Sequence, residues 1–242
     1  PCYAKLMVAR VAQLSLPSGR SVEACFTGRL GSKRLTMRVD PIKRRVVVSG
    51  PLRVSQKQAL GFVQENAAWI EARLDALPAP APFVEGAEIL FRGRPTRLER
   101  VPGRGAPIFQ DGVEPRLVIA ATPVRFSARV AVALKAFAQS DAVNYAQSFS
   151  PCLGKEPSSI ALRDTRSRWG SCTSRGDIML SWRLIGAPPK VFEYVVAHEM
   201  AHLLELNHSP AFWAHVARLM PDWKPARAWL KSQGGQLQAL GG

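Results

Sequence analysis

Apolar and polar positions along the chain follow two periods. Leu35, Met37 and Val39 alternate with polar Thr36 and Arg38, the period of a strand with one buried face. Asp40-Pro41 reads as a turn, and the run RVVVS at 45–49 reads as the returning strand, so residues 20–50 are expected to be strands. Ser55 and Gln58 form a capping box. Beyond it Val63, Ala67, Ile70, Leu74 and Leu77 recur at helical spacing and predict one helix over 55–77. Pro78, Pro80 and Pro82 alternate with alanines, the composition of a stiff extended connector.

The strand period returns over 87–121, with turn signals at Gly93, at Pro102-Gly103-Arg104-Gly105 and at Asp111-Gly112. Thr122-Pro123 opens a second helix. It should run to about Ser148, bury Val130, Leu134, Phe137 and Val143, and be ended by Pro151-Cys152-Leu153-Gly154. Residues 159–164 and 177–184 read as strands on either side of a turn or irregular edge at 166–172. Pro188-Pro189 stops the sheet and starts a helix over about 189–206, anchored by Val191, Val195, Val196 and Leu203, with Asn207 as a left-handed stop. Ser209-Pro210 opens another helix that buries Phe212, Val216, Leu219 and Met220, and a short one follows at about 225–233. No internal repeat is visible. The expected fold is α+β. Residues 1–82 form a strand hairpin plus helix, 83–122 a β-rich hairpin region, and 123–242 a domain whose small sheet packs on the 189–206 helix.

The charge adds to this picture. The chain of 242 residues carries a net charge of +15, spread over both halves without a basic tail. Such a surface suits anionic partners such as nucleotides, nucleic acid or acidic peptides, unless it is simply a solvated face. Arg92, Arg94, Arg97, Arg100 and Arg104 form one basic stretch, but no glycine-rich phosphate loop accompanies it. Cys2, Cys25, Cys152 and Cys172 are scattered, with no C-x-x-C pair. That excludes a zinc knuckle and predicts free thiols in a reducing, cytoplasmic compartment. No apolar run approaches the ~20 residues of a membrane span, and Lys5 and Arg10 break the start too early for a signal peptide.

The chemistry is concentrated in His198-Glu199-Met200-Ala201-His202, followed by His208. Two histidines four apart share one helix face and can grip one metal ion. Glu199 is turned about 100° from them, beside the ion, as a base towards metal-bound water. A hydrolytic zinc takes three protein ligands and keeps one position for water. His208 is the leading candidate for the third ligand, with Glu205 and His215 as alternatives. Zinc would bring the pKa of its water towards about 7, and Glu199 would accept the proton. Arg166, Arg168 or Tyr194 could supply a second electrophile.

The segment RSRWGSC at 166–172, a strand pair, and VVAHEMAHLLELNHSPAFW at 195–213 together resemble the YgjP-like family of bacterial zinc metallopeptidases, related to WLM and SprT-like proteases. KRLTMRVDP, RVVVSGP and the F-R-G-R hairpin fit more weakly. The spacing of the three histidines also matches metzincins, but Glu205 stands at their glycine position. The resemblance implies a zincin-like domain with a zinc site at His198, His202 and His208, Glu199 catalytic, and Arg168-Trp169-Gly170-Ser171-Cys172 bordering the cleft. An extended peptide could add to that strand edge, with Arg166, Arg168, Trp169 and Tyr194 as candidate substrate contacts. The resemblance also implies a rival, since some relatives are assigned UTP pyrophosphohydrolase activity. Arg163, Arg166, Arg168, Arg175 and Arg183 would suit phosphate. SprT-like relatives further suggest a protease brought to nucleic acid by its basic surface.

Overall fold

The computed structural model describes residues 10–40, 43–77, 81–165 and 168–241. The chain divides into two compact units, Pro1–Ala79 and Pro80–Gly242.

In the first unit four strands, β1 (Arg10–Ser15), β2 (Ser21–Arg29), β3 (Thr36–Asp40) and β4 (Arg45–Pro51), form one sheet in the order β1-β2-β4-β3. The strands expected at 35–39 and 45–49 pair antiparallel, Thr36 opposite Ser49. Pro41, at the expected turn, lies outside the described residues, as do Cys2 and most of the proline connector. The capping box is present: Ser55 Oγ accepts from Gln58 N–H, and Gln58 Oε1 accepts from Ser55 N–H. The single helix expected over 55–77 is two, α1 (Gln56–Glu65) and α2 (Ala67–Asp75). Asn66 breaks them with φ −107° and ψ 16°, while its side-chain amide donates to the Phe62 carbonyl. Val63, Ile70 and Leu74 still reach one core, with Val22, Ala24, Val46 and Val48 of the sheet.

The second unit begins with a sheet of β5 (Glu88–Phe91), β6 (Arg94–Val101), β7 (Ile108–Gln110) and β8 (Arg116–Ala120), in the order β5-β6-β8-β7. Its pairing senses repeat those of the first sheet: an antiparallel hairpin, a parallel central pair, and an antiparallel outer strand. A helix follows each sheet. The repeat that the sequence hides is therefore one of topology. Strand pairing needs only alternation and turns, so two unrelated side-chain sets satisfy it.

The helix after this sheet, α3 (Phe126–Leu153), is longer than expected. Pro151 lies inside it and does not end it; a missing N–H near a helix end removes one bond without breaking the preceding turns. Gly154 stops it at φ 66°, the left-handed cap that glycine adopts at least cost. Its buried stripe runs Val130, Leu134, Ala138, Ala142, Ala146, so Ala142 takes the place expected of Val143. These small residues let α3 pack closely on α4 (Pro189–Ala201). The strands β9 (Ser159–Arg163), β10 (Gly170–Cys172) and β11 (Asp177–Ser181) form a sheet in the order β10-β11-β9 and also pack against α4. Helices α5 (Pro210–Leu219) and α6 (Trp223–Gln233) close the other side. Residues 83–122 thus share one core with residues 123–241: Phe91, Leu98 and Ile119 meet Leu134, Val196 and Phe212 in the same cluster. The fold is mixed α+β, as expected, with six helices and three sheets among the described residues.

Candidate metal centre

α4 is buried almost all round, as a helix must be when three layers cover it. Pro189 occupies its first turn, where a missing N–H costs nothing. The helix ends at His202, not near Asn207 as the pattern suggested. Leu203, Leu204 and Glu205 fold back on Met200 and Ala201 through turn bonds, and Asn207 is not left-handed. This early stop swings the chain towards His198, and Ser209 then caps α5 by accepting from Phe212 N–H.

The structure brings His198, His202 and His208 together, with one ligand atom from each lying within 4.8 Å of the others. Their ring centroids are 5.1, 5.0 and 4.8 Å apart, and the fully buried Phe212 ring packs under all three. Neither Glu205 nor His215 belongs to this group. Glu205 serves through its backbone: its carbonyl accepts from His202 Nδ1 at 2.9 Å. That bond fixes the Nδ1–H tautomer and leaves the Nε2 lone pair for a metal.

The donor set fits a divalent ion. Nε2 of His198 faces Nε2 of His208 at 3.1 Å. A tetrahedron with metal–nitrogen bonds of about 2.0–2.1 Å has edges of roughly 3.3 Å. Burial, with His202 and His208 adding to it, pulls the His198 imidazole down to about 3, so it is neutral and can donate its lone pair. Burial also lowers His202.

Glu199 is 5% exposed, and its Oε2 has no hydrogen-bond partner. Burial pushes its carboxyl up to about 8, against the opposing field of Arg168. Strand β10 passes directly over it. A Cβ on Gly170 would lie 2.5 Å from Glu199 Oε1 and 2.7 Å from its Cγ. Gly170→Ala should therefore displace the carboxylate while the fold and the metal site remain. A loss of about 10²-fold in kcat/KM is expected, since a misplacement near 1 Å has that effect. Unchanged kinetics, with circular dichroism and metal content matching wild type, would contradict it.

The tentative substrate residues are placed unevenly. Arg166 lies outside the described residues. Arg168 is exposed, close enough for its charge to act on Glu199. Trp169 packs its ring within 3.1 Å of where a Gly234 Cβ would stand, on the core side of the strand. Tyr194 is buried, edge-on to His198 at 6.0 Å and stacked on Trp223. Arg183 does not line the approach. It is 3% exposed and donates to Asp164 and to the Gln238 and Leu240 carbonyls, which ties down the end of the chain. Burial, with Glu199 and Asp177 nearby, raises the Cys172 thiol to about 11, so it is protonated and inert. Cys25, Cys152 and Cys172 are free thiols. No helix among the described residues is long and apolar enough to cross a membrane.

A mixed α+β fold with a three-histidine cluster and a buried glutamate next to His198 on the same helix describes the class of metal-dependent hydrolases. The match is specific: the YgjP-like metallopeptidase domain fits residues 33–233, and the chain belongs to that family. Membership implies a metal, and a peptide or protein as substrate. The crystal structure of the metallopeptidase zymogen of Pyrococcus abyssi abylysin is similar over 38% of this chain and 95% of that one. At 22% identity and a TM-score of 0.34 the likeness is too slight to bear on function. No curated protein matches the chain.

Proposed function

We propose that the chain is a zinc-dependent peptidase, with zinc held by His198, His202 and His208 and Glu199 as general base. The observation that carries this reading is a buried, unpartnered carboxylate beside three convergent imidazoles. Zinc so held would polarise the scissile carbonyl and acidify a water. Glu199, buried beneath Gly170, takes the water's proton and returns it to the leaving amine. Phe212 keeps the floor of the site apolar. β10 lies at the edge of its sheet, paired with β11 on one side only among the described residues. A substrate laid along its outer side in extended form would run past Gly170 and Glu199.

Chelation followed by zinc return tests this reading. Peptide hydrolysis should vanish in the metal-free protein and return with one equivalent of zinc. Zinc-loaded protein that cleaves no member of a broad peptide library, yet releases pyrophosphate from nucleoside triphosphates, would overturn it.

A further inference from the structure

The guanidinium of Arg227, on α6, lies 4.8 Å from the Trp213 ring centroid and 5.7 Å from that of Trp223. The two indoles stack at 4.7 Å and 21°. Trp223 stacks in turn on Tyr194, while Trp213 lies 5.8 Å from the His198 ring and 6.0 Å from His208. A shelf of aromatic rings therefore runs from two of the three histidines to one cation.

Arg227 differs in its partners from four other arginines of this unit. Arg92 pairs with Asp141, Arg94 with Asp111, Arg100 with Glu85 and Arg183 with Asp164. Arg227 is exposed and has no carboxylate or hydrogen-bond partner among the described residues. Rings hold the flat face of a guanidinium and leave its in-plane N–H donors free. That planar fork matches a carboxylate with two parallel hydrogen bonds. Arg168, also exposed and unpartnered among the described residues, adds positive potential from the strand side of the same centre.

We propose that Arg227 is a specificity residue that binds a substrate carboxylate near the scissile bond, from an acidic side chain or a free peptide C-terminus. This rests on the peptidase reading. The test uses the zinc-loaded protein and matched peptides: Glu against Gln on each side of the cleaved bond, and free against amidated C-termini. The carboxylate forms should be preferred by about 10- to 100-fold in kcat/KM, the range of a charge-assisted hydrogen-bonded pair. Which pair of peptides shows the preference identifies the source of the carboxylate. In Arg227→Ala the ratio should fall towards one, and Arg227→Lys should restore only part of it.

Binding gives a second readout. In zinc-loaded Glu199→Gln protein, the carboxylate peptide should change tryptophan fluorescence at lower concentration than its amide, and Arg227→Ala should abolish that difference. Equal cleavage of both peptide forms by the unaltered protein, or a preference that survives Arg227→Ala, would overturn the proposal while leaving the peptidase intact. Failure to cleave any peptide would remove the peptidase reading, and the proposal with it. So would nucleoside triphosphate hydrolysis that depends on Arg227.

Discussion

Glu199→Gln should reduce peptide hydrolysis by about 10³-fold or more, at the upper end of what a positioned base contributes. Zinc content should remain at one ion per chain. Glutamine fills the same volume beneath Gly170, so no cavity or clash confuses the result. What it lacks is a group that can take a proton. The same variant should alter metal-free stability in a pH-dependent way. The folded carboxyl sits near 8, above the ordinary glutamate value of 4.5, so the folded state binds its proton more tightly than the unfolded state. That contribution is fully present below about pH 4.5 and is lost as pH rises through 8. Metal-free Glu199→Gln should therefore melt close to wild type near pH 4.5 and clearly above it at pH 8–9. The difference is on the order of 3–5 kcal/mol at most. Equal melting temperatures at pH 9 would show that the carboxylate is not buried as described.

His208→Ala should lower zinc affinity by more than 10²-fold, beyond the 10–100-fold typical of losing a group that only orients a ligand. Activity should fall with it. His208 is the exposed member of the group and lies past the end of α4, so its removal should leave the helix and core unchanged. His215→Ala serves as the control. It lies on α5 outside the histidine cluster, and both zinc affinity and turnover should persist. Zinc affinity that survives His208→Ala but not a change at Glu205 or His215 would assign the third ligand differently.

The chain shows which parts of such a site local pattern can convey. The grouping of His198, His202 and Glu199 was legible because a helix converts a spacing of four residues into one face. The capping box at Ser55 and the proline start of α5 were legible for the same reason: each is satisfied within one turn. The end of α4 was misplaced because Leu203 and Leu204 continue the apolar pattern, while the chain has already left helical geometry to let Glu205 brace His202. Asn66 is likewise an ordinary helix residue until its side chain competes for the Phe62 carbonyl. Gly170 was visible as part of a motif, but its role depends on a contact between strand and helix that no local signal encodes. The Trp213–Trp223 stack spans two helices in the same way. A hint existed in Trp223 and Arg227, spaced i, i+4 on α6. The arginine-rich hairpin was legible as a basic stretch without a phosphate loop, but the carboxylates of Asp141, Asp111 and Glu85 that pair with Arg92, Arg94 and Arg100 were not, because those contacts form only in the fold.

The central claim is a single metal ion held by three particular histidines. An anomalous difference map at the zinc edge, from crystals of the zinc-loaded protein, tests it most directly. One peak per chain is expected, about 2.0–2.1 Å from an imidazole nitrogen of each of His198, His202 and His208. No peak there, or a peak ligated by Glu205 or His215 in place of His208, would contradict the account.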